Sequence, residues 1–369
     1  MSGNTLLLLL LLCAGNVAYT QPVARAIWID TDIRLGKPGR DVDDGLALII
    51  AVQSKEVFVE GISVTGNVGY ASNIAKKIVK EYSAEHFVAV HKGARNHNDI
   101  GKETAATEAL KQKLQQKKLT ILALGLLTNI ATVIQIHPEL SKQIQEVVFC
   151  GSRQLGQHFK IGSSTLNIPD ANFERDPNAF NIILRAGIPI TFVGFESAQY
   201  IKIYKKDIIF LKDSPYKPEH WLYKKLRLWQ LLWKMGVKDE CFIPFDVVTL
   251  GSLIAPLFFQ YFNSVTVHVD TLRNDLFIPL FNHRTKPYLN VINTSGTISS
   301  DFRYCYQTQP QFKDYILSSL RQNVYSQHRT QKNKMLSPSL VAIVPPAQAF
   351  VGMQHRIMSS RTNTDERHK

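Results

Sequence analysis

Between residues 26 and 193, short apolar runs alternate with longer segments of helical periodicity, and this alternation restricts the fold more than any other feature. Residues 26–30, 57–65, 87–90, 119–124, 146–150 and 189–193 read as strands, with 265–269 as a further member of the same sheet. Residues 45–53, 72–82 and 129–135 between them read as helices, the last halting at His137-Pro138. A chain that alternates in this way predicts an α/β fold: one domain, a mostly parallel central sheet and helices on both faces. Ligands of such folds bind beyond the carboxyl ends of the strands, so the chemistry is sought there. Residues 216–236 carry Trp221, Trp229 and Trp233 among lysines, an amphipathic helix that either packs on the body or covers a pocket.

The first strand ends in the densest cluster of acid in the chain. Asp30, Asp32, Asp41, Asp43 and Asp44 fall between that strand and the next helix. Unit charges 4 Å apart interact by roughly 1 to 4 kcal/mol at effective dielectrics of about 80 to 20. Folding them into one turn therefore requires a cation or a helix N-terminus to offset the repulsion. Asp43 and Asp44 belong to the first helical turn, where the macrodipole favours anions. An all-oxygen donor set suits Ca²⁺ or Mg²⁺ rather than Zn²⁺. Gly36-Lys37-Pro38-Gly39 fits neither a dinucleotide-binding glycine pattern nor a P-loop.

The segment Asp30-Thr31-Asp32 through Pro38-Gly39-Arg40-Asp41-Val42-Asp43-Asp44-Gly45 resembles the N-terminal motif of the inosine-uridine-type nucleoside hydrolases, in a longer-loop version. Further pieces follow in family order. They are Thr65-Gly66-Asn67-Val68, Gly125-Leu126-Leu127-Thr128-Asn129-Ile130-Ala131, the strand ending in Cys150-Gly151, Asp170-Ala171-Asn172-Phe173 with Asp176-Pro177, and Pro244-Phe245-Asp246. The similarity runs over about residues 26–320.

That resemblance implies Ca²⁺-dependent hydrolysis of the N-glycosidic bond of ribonucleosides to free base and ribose. It implies Ca²⁺ held by Asp32, Asp44, the Thr128 carbonyl and Asp246, with Asp32 the general base for the attacking water. Asp43, Asn67, Asn172 and Asp246 would hold the ribose hydroxyls, Asp170 the 5′ end, and Cys150 would stand beside the substrate where the family has methionine. Asp170 is a methylene shorter than the family's glutamate, and Ser164 and Asn167 stand near the place of an expected asparagine. Phe245 replaces the histidine that precedes the late aspartate in the inosine-uridine branch. It cannot protonate a leaving base but can stack on one, so purine nucleosides are expected to be favoured. Carboxylates beneath an oxocarbenium-like ribose stabilise its charge, which suits these residue types to the reaction. The alternative is a catalytically inactive secreted nucleoside- or sugar-binding protein of the same fold. Asp30-x-Asp32 after a strand also resembles haloacid-dehalogenase-type phosphatases, which want Thr or Val where Arg34 stands.

Composition bounds the rest. Hydrophobic residues make up 45% and charged residues 20%, enough for a large core and too apolar for wholesale disorder. The net charge is +13, yet no basic run is long enough to predict nucleic-acid binding. Leu6 to Leu12 form an apolar stretch too short to span a bilayer, read as a signal peptide over 1–20 cut after Ala18 or Thr20. The mature chain would then be secreted, with a catalytic domain over 21–325 and a basic, poorly ordered tail over 326–369. It would hold Cys150, Cys241 and Cys305, hence at most one disulfide, and no membrane-inserted segment. Asn293-Thr294-Ser295 is a glycosylation sequon in that setting. The expected partner is a small ribonucleoside, and homo-oligomers are common in the family.

Overall fold

A computed structural model describes residues 24–83, 87–162, 167–275, 284–296 and 300–321. The expected signal peptide, Ser164 and the tail beyond 321 lie outside them. The first half of the fold is β1 (Arg25–Thr31), α1 (Asp43–Ala51), β2 (Val57–Val64), α2 (Val68–Tyr82), β3 (Val90–Lys92), α3 (Ala105–Gln116), β4 (Leu119–Ala123), α4 (Thr128–Ile136) and β5 (Ile144–Cys150). Next come β6 (Arg153–Gln154), α5 (Pro177–Arg185), β7 (Ile190–Val193), β8 (Ile203–Tyr204), α6 (Lys217–Val237), β9 (Cys241–Phe242) and α7 (Phe245–Ile254). The described chain finishes with β10 (Phe259–Phe262), β11 (Val265–Arg273), β12 (Thr285–Asn293) and β13 (Phe302–Thr308).

Eight strands form the central sheet in the order β10-β13-β7-β5-β4-β1-β2-β3, parallel except for edge strand β10. The middle strands β1, β4, β5 and β7 are buried on nearly every residue because helices cover both faces. Two buried clusters lie on the two sides, one with Ile27, Ile29 and α1, the other with Trp28, Phe149 and α4. The site lies where β1, β4 and β5 end. Gly125 is needed there, since a Cβ on it would meet the Asp32 backbone nitrogen at 2.8 Å.

Two expectations need correction. Residues 265–269 do not join the central sheet; β11 pairs antiparallel with β12, which pairs with β6 in a separate three-stranded sheet. The third strand begins at Val90 rather than residue 87, and Phe87 is exposed. Cys150, Cys241 and Cys305 are all free and buried, so no disulfide links them.

Candidate active site

Asp30 is the most deeply placed acid of the cluster. Its Oδ1 accepts from the Ser63 hydroxyl at 2.5 Å and from Asn129 Nδ2 at 2.9 Å, while Oδ2 has no partner. Burial pushes its carboxyl up to about 7. Asn129 in turn accepts from the Ala94 backbone at 2.8 Å, so Asp30 locks β1 to its neighbours behind the site.

Beyond it the chain turns outward and returns at Asp41. Carboxylate oxygens of Asp41, Asp43 and Asp44 lie within 4.8 Å of one another. Burial and the neighbouring Asp41 raise the Asp43 carboxyl to about 7; Asp44 rises further through burial, Asp41 and Asp43. The first turns of α1 and α7 meet here, with the Asp246 backbone N–H 3.4 Å from Asp43 Oδ2. Thr31 also donates its hydroxyl to Asp44. Asp246 is raised by burial and then by Asp44 and Asp43. Two helix N-termini, one hydroxyl and the nearby charges of Arg34, Arg175 and Arg40 still leave all four acids raised by burial. Asp41 Oδ1 is buried without a hydrogen-bond partner. An orphaned oxygen among convergent carboxylates fits a hard divalent cation.

A cavity of about 470 Å³ opens over this cluster. Asp32, Asp43, Asp44, Cys150, Asp170, Asn172, Phe245 and Asp246 all line it, so most of the expected site comes together. Asn172 donates Nδ2 to the Leu124 carbonyl at 3.1 Å and the Cys150 carbonyl at 3.0 Å, tying the ends of β4 and β5. That leaves its Oδ1 as the acceptor for a ligand hydroxyl. Asp170 accepts from the Ser152 backbone at 2.8 Å, and burial still raises it to about 6. Burial pushes the Cys150 thiol up to about 12, so it stands as a neutral thiol.

One expected residue is placed differently. Asn67 is exposed, caps α2 by accepting from the Tyr70 backbone at 3.4 Å, and is not among the cavity-lining residues. Thr128 is fully buried at the start of α4, where its hydroxyl donates to Asp176 at 2.5 Å. Asn167 also leaves the site and donates to Asp275 at 3.2 Å.

The apolar wall was only partly foreseen. Phe159 stacks on Phe195 at 4.6 Å, and Phe195 on Phe245 at 6.1 Å. Trp229 and Trp233 reach the same cavity from α6, whose Leu222, Leu226 and Gln230 are buried. The amphipathic helix is thus both body and wall. No described lining residue is a histidine: His158 is exposed beside Asp275 and His220 is exposed on α6. Arg34, Arg40 and Arg175 line the cavity too. Arg34 was visible in the sequence, but its partner depends on the path of the loop.

A cavity bounded by aspartates at one end and aromatic rings at the other suits a polar sugar joined to a flat base. The family model described as inosine-uridine preferring nucleoside hydrolase matches residues 27–296. A probable uridine nucleosidase 2 of Oryza sativa is 27% identical over 296 residues, covering 70% of this chain and 82% of the relative. Its Arabidopsis thaliana counterpart is 27% identical over 272 residues, covering 65% and 81%. A solved plant nucleoside hydrolase superposes with TM-score 0.62 at 20% identity, covering 81% of this chain and 98% of that one. A purine-preferring ribonucleoside hydrolase from Gardnerella vaginalis gives 0.61 at 18%, covering 81% and 99%. Fold, site and sequence agree: the chain belongs to the inosine-uridine preferring nucleoside hydrolase family and is an enzyme of the nucleoside hydrolase class.

Proposed function

We propose that this enzyme cleaves the N-glycosidic bond of ribonucleosides with the help of one Ca²⁺ ion and favours purine nucleosides. The observation that carries the reading is the single cavity that joins Asp32, Asp43, Asp44, Asp246, Asp170 and Asn172 to the Phe159, Phe195, Phe245 wall. Asp32, Asp44 and Asp246 would hold the ion with the Thr128 carbonyl, and Asp41 is a further oxygen at the cluster. When bound, the cation acidifies water and neutralises the acids around it.

The chain's own residues supply the rest. Asp32 takes the proton of the attacking water. Asp43, Asp246 and the Asn172 amide oxygen accept from the ribose diol, and Asp170 accepts from the 5′-hydroxyl. The carboxylates stabilise positive charge as it develops on the ribose. Phe245 offers a face to the base, a contact worth roughly 0.5 to 1.5 kcal/mol beyond burial. With no histidine among the described residues that line the cavity, a base that can be protonated from solvent before leaving is favoured, and a purine meets that need through N7. A pyrimidine reading draws support from the relatives named uridine nucleosidases.

Ribose release from inosine, adenosine, guanosine, uridine and cytidine tests both readings, with and without chelation. The expected result is higher kcat/KM for a purine nucleoside, a gap narrowed by Phe245→Ala, and loss of activity on removing Ca²⁺. Uridine turned over as efficiently as the best purine nucleoside would sink the purine preference. Full activity after exhaustive chelation would sink the metal.

A further inference from the structure

Arg34 is held as firmly as a core residue although its charge lies in the cavity. Its neighbours Ile33 and Leu35 are both 0% exposed. Leu35 fills the space that a side chain at Gly45 of α1 would need, with its Cδ2 2.5 Å from that Cβ position. The Tyr70 hydroxyl donates to the Leu35 carbonyl at 3.1 Å, Ile33 N–H donates to Thr31 Oγ1 at 3.2 Å, and Lys37 N–H closes a turn onto the Arg34 carbonyl at 2.9 Å. With both neighbours buried, the side chain of Arg34 is directed to the opposite side, into the cavity.

There the guanidinium contacts one residue twice. Nη2 forms an ion pair with the Asp32 carboxylate, and Nε donates to the Asp32 carbonyl at 3.3 Å. Burial lowers the Arg34 guanidinium, while Asp41 and Asp44 are negative charges that hold it up. The other two guanidiniums of the cavity, Arg40 and Arg175, form no ion pair among the described residues. An Asp32 carboxylate engaged by a guanidinium is a poor ligand for a second cation and a poor proton acceptor.

We infer that Arg34 is a tethered competitor of the metal ion: its guanidinium holds Asp32 until a divalent cation displaces it, so the apparent metal affinity is set partly by this residue. The inference rests on the proposed metal site. Both cations seek the same cluster, but only one can be matched to Asp32 at a time. A protein whose binding-competent form is a minor fraction shows a dissociation constant raised by that fraction. If Arg34 occupies Asp32 about nine-tenths of the time, its removal tightens binding about tenfold. The device sets a threshold of cation concentration below which the base of the reaction is held inactive.

The test is calorimetric titration of Ca²⁺ into the chelator-stripped full-length protein, comparing wild type, Arg34→Gln and Arg40→Gln. Arg40→Gln removes an equal charge from the same cavity without breaking an ion pair. The expected result is a Ca²⁺ Kd about tenfold lower in Arg34→Gln, with a change of less than about threefold in Arg40→Gln. Equal affinity in wild type and Arg34→Gln, or equal gains in both variants, overturns the inference while leaving the metal site standing. Absence of Ca²⁺ binding in all three proteins would overturn the metal reading itself. Should Arg34→Gln fail to fold, Arg34→Lys keeps the charge and loses the two-point contact; it should bind Ca²⁺ more tightly than wild type, and an unchanged Kd counts against the proposal.

Discussion

Asp32 and Asp30 are two residues apart on one strand end, yet their surroundings separate their roles. Asp30 is enclosed behind the sheet by Ser63 and Asn129, whereas Asp32 lines the cavity and pairs with Arg34. Asp32→Asn keeps the size and one ligand oxygen but removes the proton acceptor. Turnover should fall by roughly 10²-fold or more while nucleoside affinity changes far less, as read by steady-state kinetics and by direct binding. Unchanged kcat would take the base assignment from Asp32. The aspartates were legible because so much like charge in one turn demands compensation. The arginine was not, because an ion pair between residues 32 and 34 exists only if Ile33 and Leu35 are buried on the other side.

Elements differ in the same way. The β/α alternation was readable because buried parallel strands are apolar on both faces, and strands β1, β2, β4, β5 and β7 fall within a few residues of their expected bounds. The three-stranded sheet was not readable, because β11 finds β12 across an antiparallel register such as Val265 with Asn293 that no local pattern encodes. That small sheet carries the most buried ion network among the described residues. Arg153, 1% exposed, pairs with Glu174 at 3.3 Å and Asp275 at 3.5 Å, and Lys286 reaches Glu174 at 2.7 Å and Asp275 at 2.5 Å. The Arg153 guanidinium also lies 4.1 Å from the Phe159 ring, and Glu174 accepts the backbone N–H of Asp170 at 3.0 Å. It thus supports the Phe159 wall and Asp170 together. Removing one partner of a buried pair costs about 3 to 5 kcal/mol; Lys286 still serves both acids, so Arg153→Met should cost about 3 kcal/mol. Urea unfolding measures this, and a midpoint equal to wild type would show the network to be energetically neutral.

At the scale of the molecule, two predictions concern what surrounds the fold. Among the described residues no helix is long and apolar enough to cross a membrane. Asn293 is exposed at the end of β12, its Oδ1 accepting the nearby Ser295 N–H at 3.0 Å, which leaves the sequon asparagine at the surface. In a eukaryotic secretory host the product should lose eighteen to twenty N-terminal residues and gain mass removable by deglycosidase. An intact Met1 end in the cytosol contradicts the secretion proposal. The last prediction follows from the acids. Asp30 and Asp43 are raised to about 7 and Asp170 to about 6, with Asp44 and Asp246 also raised. In the unfolded chain each titrates near 4. Between about pH 4 and pH 7 the native protein therefore binds more protons than the unfolded one, and stability falls as pH rises across that window. Below it both states are protonated and the dependence vanishes. A divalent cation held by the ionised cluster of the native state alone would add stability as RT ln(1 + [L]/Kd), most at the higher pH. Tm in chelator should accordingly drop from pH 5 to pH 7, and millimolar Ca²⁺ should flatten or reverse that slope. Parallel Tm curves with and without Ca²⁺ would mean that the crowded carboxylates are not where the cation binds.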